Sequence, residues 1–350
     1  MFRVGVIGLG MGKSHAIGVR KAADSLAKNG IPADDLPMLY ALCDIDRDKL
    51  IRIGQELGVG DLYEDYRDML DDPLLDAVII ASPDQDHRRM AEDALSAGKH
   101  VLCEKPLALT REDIEAIVRA AQNSEKTFMV GQICRFTPGF RQAKELIEKG
   151  VIGDLTFVES EYAHDYIKIY RAGTWRSDPL RNGVVGGGCH AVDLLRWIAG
   201  DPVEVMAYGT HKTFAEMTPY DDTHVAILQF PKGVIGKVFC SISCRRAYTM
   251  RSVFYGTKGT IITDNTSPSM TLYSYQEDPD HPDGILSEAE IPININSHNA
   301  AGEFQAFYEA IRTSRPVDTP AAEGANTIAV CHAIIQSSLT GQPVRPVYFQ

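Results

Sequence analysis

The stretch VGVIGLGMGKSHA, residues 4–16, decides the fold. A short apolar run breaks at Gly8 and Gly10 and passes into a segment able to form a helix. Glycines at such a point permit a tight turn and let backbone N–H groups approach a pyrophosphate, which then rests on the positive end of the helix. Gly8, Gly10, Met11 and Gly12 make up this turn; Gly12 comes one place before the usual third glycine, where Lys13 stands instead. Glycine spacing alone is a weak signal, but an acidic residue, Asp44, closes the next apolar run. A carboxylate there hydrogen-bonds ribose hydroxyls and repels a 2′-phosphate, so the cofactor read from the turn is NAD rather than NADP. Arg47 nearby pulls the other way, and the stretch NGIPADDLP (29–37) reads as an insertion that lengthens the crossover.

Four apolar runs surround this turn: RVGVIG (3–8), MLYALCD (38–44), DAVIIAS (76–82) and HVLCE (100–104). Between them lie segments with helical spacing, such as 84–97 and 111–122, and TFMVGQ (127–132) adds a further strand. Strands alternating with helices predict a doubly wound parallel Rossmann sheet, an α/β fold, over residues 1–130. Beyond it the rhythm changes. Residues 154–166 and 203–265 read as strand after strand, with turns at PKG (231–233) and GTKGT (256–260) and one helix at 190–199. Residues 131–350 are therefore expected to form an α+β domain on an open, mainly antiparallel sheet. The segment 266–300, rich in Asp, Pro, Ser and Asn, reads as loop. Helices at 302–313 and 321–338 are expected to pack back on the first domain.

At 350 residues, 44% hydrophobic and 23% charged, the chain is globular and long enough for two cores. A net charge of −12 argues against nucleic acid as a partner. No apolar run approaches the roughly 18 residues of a membrane span, and the N-terminal run is too broken by glycine to be a signal peptide. Seven cysteines without CxxC spacing argue for a reduced, cytoplasmic protein, and no cluster has metal-ligand spacing.

Ligands of such sheets bind outside the carboxyl ends of the strands, and two strand ends carry unusual chemistry. In ASPDQDH (81–87), Pro83 fixes the turn after the third run, and Ser82, Pro83 and His87 are candidate cofactor contacts. In CEKP (103–106), Lys105 projects from a strand tip whose slack Pro106 removes, with Glu104 a partner for the ammonium or for the cofactor ribose. Near a nicotinamide, a lysine holds the substrate oxygen or passes a proton. Further on, Gly186–Gly188 directly precede an amphipathic helix that begins around His190. A helix N-terminus disfavours imidazolium, which keeps His190 ready to accept a proton, and Asp193 follows on the same helical face.

These features together resemble the Gfo/Idh/MocA oxidoreductases, which include glucose-fructose oxidoreductase and inositol dehydrogenase. The resemblance rests on the GLG turn, Asp44, ASPxxxH (81–87), EKP (104–106), GQxxRF (131–136), WR (175–176), GCHxxDLLRW (188–197) and GTKGT (256–260). It implies NAD(P)-dependent hydride transfer on sugars, inositols or related polyols, and homodimers or homotetramers. It also implies that Gln132 borders the cofactor and that Arg135, Trp175 and Arg176 border nicotinamide and substrate. Tyr162 and His164, on a polar stretch of the first strand of the second domain, are further substrate candidates. Members of the family often use a Lys, Asp and His trio with the Asp four residues before the His. Lys105 and His190 match it, but Gly186 holds the aspartate's place, which leaves Asp193 as the neighbouring carboxylate. Two other readings stay open at this point: an NAD-dependent glycosidase working by transient oxidation and elimination, and a non-catalytic NAD-binding regulator.

Overall fold

A computed structural model describes residues 1–170, 174–294 and 298–350. Its first sheet is parallel and contains β1 (Phe2–Ile7), β2 (Pro37–Cys43), β3 (Asp61–Tyr63), β4 (Ala77–Ile80), β5 (His100–Glu104) and β6 (Phe128–Gly131), in the order β3-β2-β1-β4-β5-β6. The order reverses at β1 and β4, as in a doubly wound fold. The run Ala77–Ile80 is 0% exposed, which is why it reads as an unbroken apolar stretch rather than an alternating one. Helices α1 (Gly12–Lys28), α2 (Arg47–Leu57), α3 (Tyr66–Leu70), α4 (His87–Ser96) and α5 (Arg111–Gln122) connect the strands. Ordinary caps fix their starts: the Asp46 side chain accepts from Lys49 N–H at α2, and the Thr110 side chain from Asp113 N–H at α5.

After α6 (Pro138–Glu148) comes β7 (Leu155–Ala163), then α7 (Cys189–Ala199), β8 (Glu204–Thr210), β9 (Thr223–Gln229), β10 (Ile235–Ser241), β11 (Thr249–Gly256), β12 (Gly259–Asp264), β13 (Ser269–Asp278) and β14 (His281–Pro292). These eight strands form the second sheet, ordered β14-β13-β12-β11-β7-β10-β9-β8. Every pairing in it is antiparallel except β7 with β10. The expectation of loop over 266–300 is corrected by β13 and β14, which pair from Ser269 with Pro292 to Asp278 with His281. Met270 is the one buried side chain of β13 and the others are half-buried or exposed, so this strand carries no clear apolar alternation, and its polar composition mimics a loop. Residues 295–297 of that segment lie outside the described residues.

The chain ends in α8 (Ala300–Thr313) and α9 (Ala321–Thr340). It divides into two compact units: residues 1–133, 299–326 and 349–350 in the first, and 134–298 and 327–348 in the second. Helix α8 belongs to the first unit and lies along α1, where a Cβ on Gly18 would stand only 2.9 Å from the Ala300 carbonyl carbon. Among the described residues, no helix is long and apolar enough to cross a membrane, and no group of three His, Cys, Asp or Glu could hold a metal ion.

Candidate active site

In the first unit the glycine turn forms as its sequence requires. Gly8 has φ +85°, and a Cβ there would meet the Ala81 carbonyl oxygen at 2.6 Å, so both conformation and space demand glycine. Gly10 faces nothing within 4 Å, leaving room beside the backbone. Met11 stands before α1 without a side-chain cap, and a helix start of this kind suits a phosphate.

Asp44 is only 5% exposed and braces the turn. Its Oδ2 accepts from the Leu9 N–H at 2.7 Å and its Oδ1 from the Asp46 N–H at 2.9 Å. The cation beside it is Lys49, with Nζ 2.7 Å from Oδ2; Arg47 instead reaches Glu64 at 3.5 Å. Gln132 is buried, and its side-chain carbonyl oxygen has no hydrogen-bond partner. An open glycine, an uncapped helix start and an orphaned carboxamide oxygen are what a dinucleotide would occupy and satisfy.

Two of the expected cofactor contacts, His87 and Glu104, are held by partners within the protein. His87 is 0% exposed rather than open to a ligand: Nδ1 lies 2.9 Å from the Pro106 carbonyl oxygen and Nε2 lies 3.2 Å from that of Ser82. The ring thus pins the Ser82–Pro83 turn to the EKP turn. Burial works against its charge, but Cys103, Asp84 and the Pro106 carbonyl outweigh burial and push it up to about 10. Glu104 is likewise turned inward. Its Oε1 meets His15 Nε2 at 2.7 Å and its Oε2 accepts from the Lys105 N–H at 2.9 Å, which fixes the backbone from which the half-buried Lys105 side chain springs. The Lys105–Pro106 peptide bond is cis.

In the second unit, Val184–Gly188 form a π-helical turn leading into α7. Such turns are rare and gather at functional sites. The glycines there leave room for neighbours: a Cβ on Gly186 would overlap the Arg181 guanidinium, and one on Gly187 the Tyr162 ring. His190, 2% exposed, opens α7 with the Tyr162 ring 6.1 Å and the His298 ring 6.0 Å away. The Tyr162 hydroxyl lies 3.2 Å from His164 Nδ1 and 2.9 Å from the Tyr166 hydroxyl. Burial, with Tyr166 and Tyr248 alongside, holds the Tyr162 phenol well above its ordinary range, so it stays protonated. The Tyr248 hydroxyl lies 3.2 Å from His298 Nε2, and its ring is 4.6 Å from that of His164. The Trp175 ring has two guanidinium groups against it, Arg176 at 4.2 Å and Arg181 at 4.7 Å.

Tyr166, Tyr248, His298 and Arg181 escape the sequence reading. Only their spacing in the folded sheet and loops gathers them, and no local pattern marks them. Arg135 and Asp193, expected at substrate and as a proton carrier, prove committed to each other. Arg135 Nε donates to Asp193 Oδ2 at 2.8 Å and Nη2 to Oδ1 at 2.7 Å, and the Thr327 hydroxyl donates to Oδ1 at 3.0 Å. A buried bidentate pair of this kind anchors α7.

Comparison with known proteins agrees with this fold. Residues 2–132 match the model of an oxidoreductase family with an NAD-binding Rossmann fold, and residues 140–262 match the GFO/IDH/MocA C-terminal domain. The myo-inositol 2-dehydrogenase of Thermotoga maritima is 30% identical over 285 residues, 79% of each chain. The levoglucosan dehydrogenase of Pseudarthrobacter phenanthrenivorans is 24% identical over 96% of this chain and 95% of its own. A solved levoglucosan dehydrogenase in complex with NADH superposes with a TM-score of 0.89 at 23% identity, covering 99% of this chain and 100% of that one. A solved oxidoreductase domain protein from Kribbella flavida gives 0.87 at 26% identity, over 99% and 100%. With a glycine turn shaped for a dinucleotide and both halves of the sequence matched, the chain belongs to the Gfo/Idh/MocA family and is an NAD-binding oxidoreductase.

Proposed function

We propose that the enzyme transfers a hydride between NAD and a secondary carbinol of a sugar, inositol or related polyol. NAD, when bound, supplies the hydride acceptor. Lys105 holds and polarises the carbinol oxygen, and His190 accepts the hydroxyl proton in the oxidation direction. Glu104 fixes the lysine's backbone from below, and the Arg135–Asp193 pair fixes the helix that carries His190. The observation that carries the substrate class is the cluster of aromatic and imidazole side chains beside His190. Tyr162, His164, Tyr166, Tyr248 and His298 present hydroxyl and imidazole groups on aromatic faces, the pairing of hydrogen bonds and apolar surface that a polyol ring requires. The relatives named as inositol and levoglucosan dehydrogenases support the same class.

The protein is further proposed to act in the cytoplasm as a homo-oligomer. All seven cysteines are free thiols, which suits a reducing compartment. The outer face of the second sheet sets Tyr208 opposite Val225 and Ile227 opposite Lys237, with Tyr208 70%, Val225 40% and Ile227 43% exposed. Apolar side chains on an open sheet face suit a second copy of the chain.

A screen of sugars and cyclitols with NAD and NADP, read by absorbance of the reduced nicotinamide, tests the reaction. Steady NADH formation from a free polyol is the expected result. Release of an aglycone without net NADH, or NADH binding with no turnover of any polyol, would replace this reading.

A further inference from the structure

Beneath the EKP turn, Glu104 belongs to a buried cluster whose other members, His15 and Glu303, have no role in the reaction described so far. His15, the fourth residue of α1, is 1% exposed and faces two carboxylates. Its Nε2 is 2.7 Å from Glu104 Oε1, and its Nδ1 is 3.9 Å from Glu303 Oε2. Glu303 is 0% exposed, and neither of its carboxylate oxygens has a hydrogen-bond partner. Helix packing explains the encounter. Gly18 on α1 admits Ala300 of α8 to near contact, and one turn along each helix, three residues away, His15 and Glu303 come face to face. A buried carboxylate with no partner is costly and calls for an explanation.

We propose that Glu303 is a positioning residue for Lys105, acting through His15 and Glu104: it orients the imidazole that holds the Glu104 carboxylate, and that carboxylate in turn holds the Lys105 backbone. The arrangement follows the logic of a carboxylate that fixes a histidine's orientation so that the histidine can serve its neighbour. It rests on the role given to Lys105 above. The titratable and charged groups facing Glu303 are His15 from α1, and Glu104 and Lys105 from the end of β5. Burial, with the Glu104 charge adding to it, holds the Glu303 carboxyl above the usual carboxylate range, against the pull of His15 and Lys105. His15 is held above its ordinary value because Glu104 and Glu303 outweigh its burial. At neutral pH the cluster therefore carries Glu104 as an anion and Glu303 as a neutral acid, with His15 shifted toward its charged form by the carboxylates that face it. A group whose folded value is raised contributes stability that is complete below its unfolded value and lost as pH rises through the folded one. Rising pH thus places a second buried carboxylate charge beside that of Glu104 and loosens the support of Lys105.

The test compares wild-type holoenzyme with Glu303→Gln, which keeps the shape without the acid, and Glu303→Leu, which removes the polarity. The melting temperature with saturating NADH and kcat/KM for the best polyol of the screen are followed from pH 6 to 10. Glu303→Gln is expected to retain turnover at pH 7 within about threefold and to raise the ratio of kcat/KM at pH 9 to that at pH 7 by about threefold or more. Its alkaline loss of melting temperature should shrink in parallel, and Glu303→Leu should lower kcat at every pH. Melting curves of Glu303→Gln that superimpose on the wild type at every pH would overturn the charge assignment. A shifted melting profile with an unchanged pH–rate profile would overturn the link to Lys105. Absence of polyol turnover in the wild type would overturn the dehydrogenase reading, and with it the link to Lys105, while the melting curves still decide the state of the cluster.

Discussion

Asp193 grips Arg135 with both carboxylate oxygens, at 2.8 and 2.7 Å, and the two side chains are 1% and 4% exposed. Thr327 joins them and is itself bound by Arg196 Nη1 at 2.8 Å. Removing one partner leaves a buried charge uncompensated, which costs about 3–5 kcal/mol. Asp193→Ala is therefore expected to destabilise the protein by that order in urea unfolding, and the double variant Asp193→Leu with Arg135→Met to recover much of the loss. A stable Asp193→Ala whose pH–rate profile has changed shape would instead return the aspartate to the chemistry.

The Gly186 position couples to Arg181, because a Cβ there overlaps the guanidinium. Gly186→Ala is expected to cost about 1–3 kcal/mol, the usual range for overpacking, and most of that cost should vanish when Arg181→Ala is added. A double-mutant cycle by thermal denaturation measures the coupling. Additive costs would show that the two residues do not compete for space.

Much of the fold was legible because its central strands are buried on both faces and its helices are amphipathic. HVLCE maps onto β5 residue for residue, and 111–122 onto α5. The β13–β14 hairpin was not legible, since solvent on its faces removes the apolar alternation that marks a strand. Local motifs mark the glycine turn and the EKP turn in the first unit and the glycine run in the second. They did not reveal which way a side chain turns. Glu104 and His87 look like ligand contacts in sequence, yet both point inward, because their partners are a histidine on α1 and two backbone carbonyls. Glu303 lies nearly the whole chain away from His15, so nothing local in the sequence pairs them.

His87 links the turn after β4 to the EKP turn through two carbonyl oxygens, an arrangement that only a ring protonated at both nitrogens satisfies fully. Its folded value is about 10 against an ordinary 6.5, so its stabilisation is complete below about 6.5 and lost as pH rises through 10. His87→Asn is expected to flatten the fall of Tm across that window relative to the wild type. Parallel curves for the two proteins would contradict the charged latch.

Lys49 places an ammonium on Asp44 and thereby offsets part of the carboxylate's repulsion of a 2′-phosphate. Lys49→Ala should weaken NADPH binding by about two- to fivefold and leave NADH within about twofold, as measured by fluorescence titration at low salt. A larger loss for NADH than for NADPH would contradict this electrostatic account.

The most direct measurement is the turnover of Lys105→Ala and His190→Ala with the best polyol and NAD, alongside NADH titration of each variant. Each substitution is expected to lower kcat by about 10²–10⁴ while NADH affinity stays within a few-fold of wild type. Near-normal turnover in either variant would contradict the assignment of substrate oxygen and proton to these two residues.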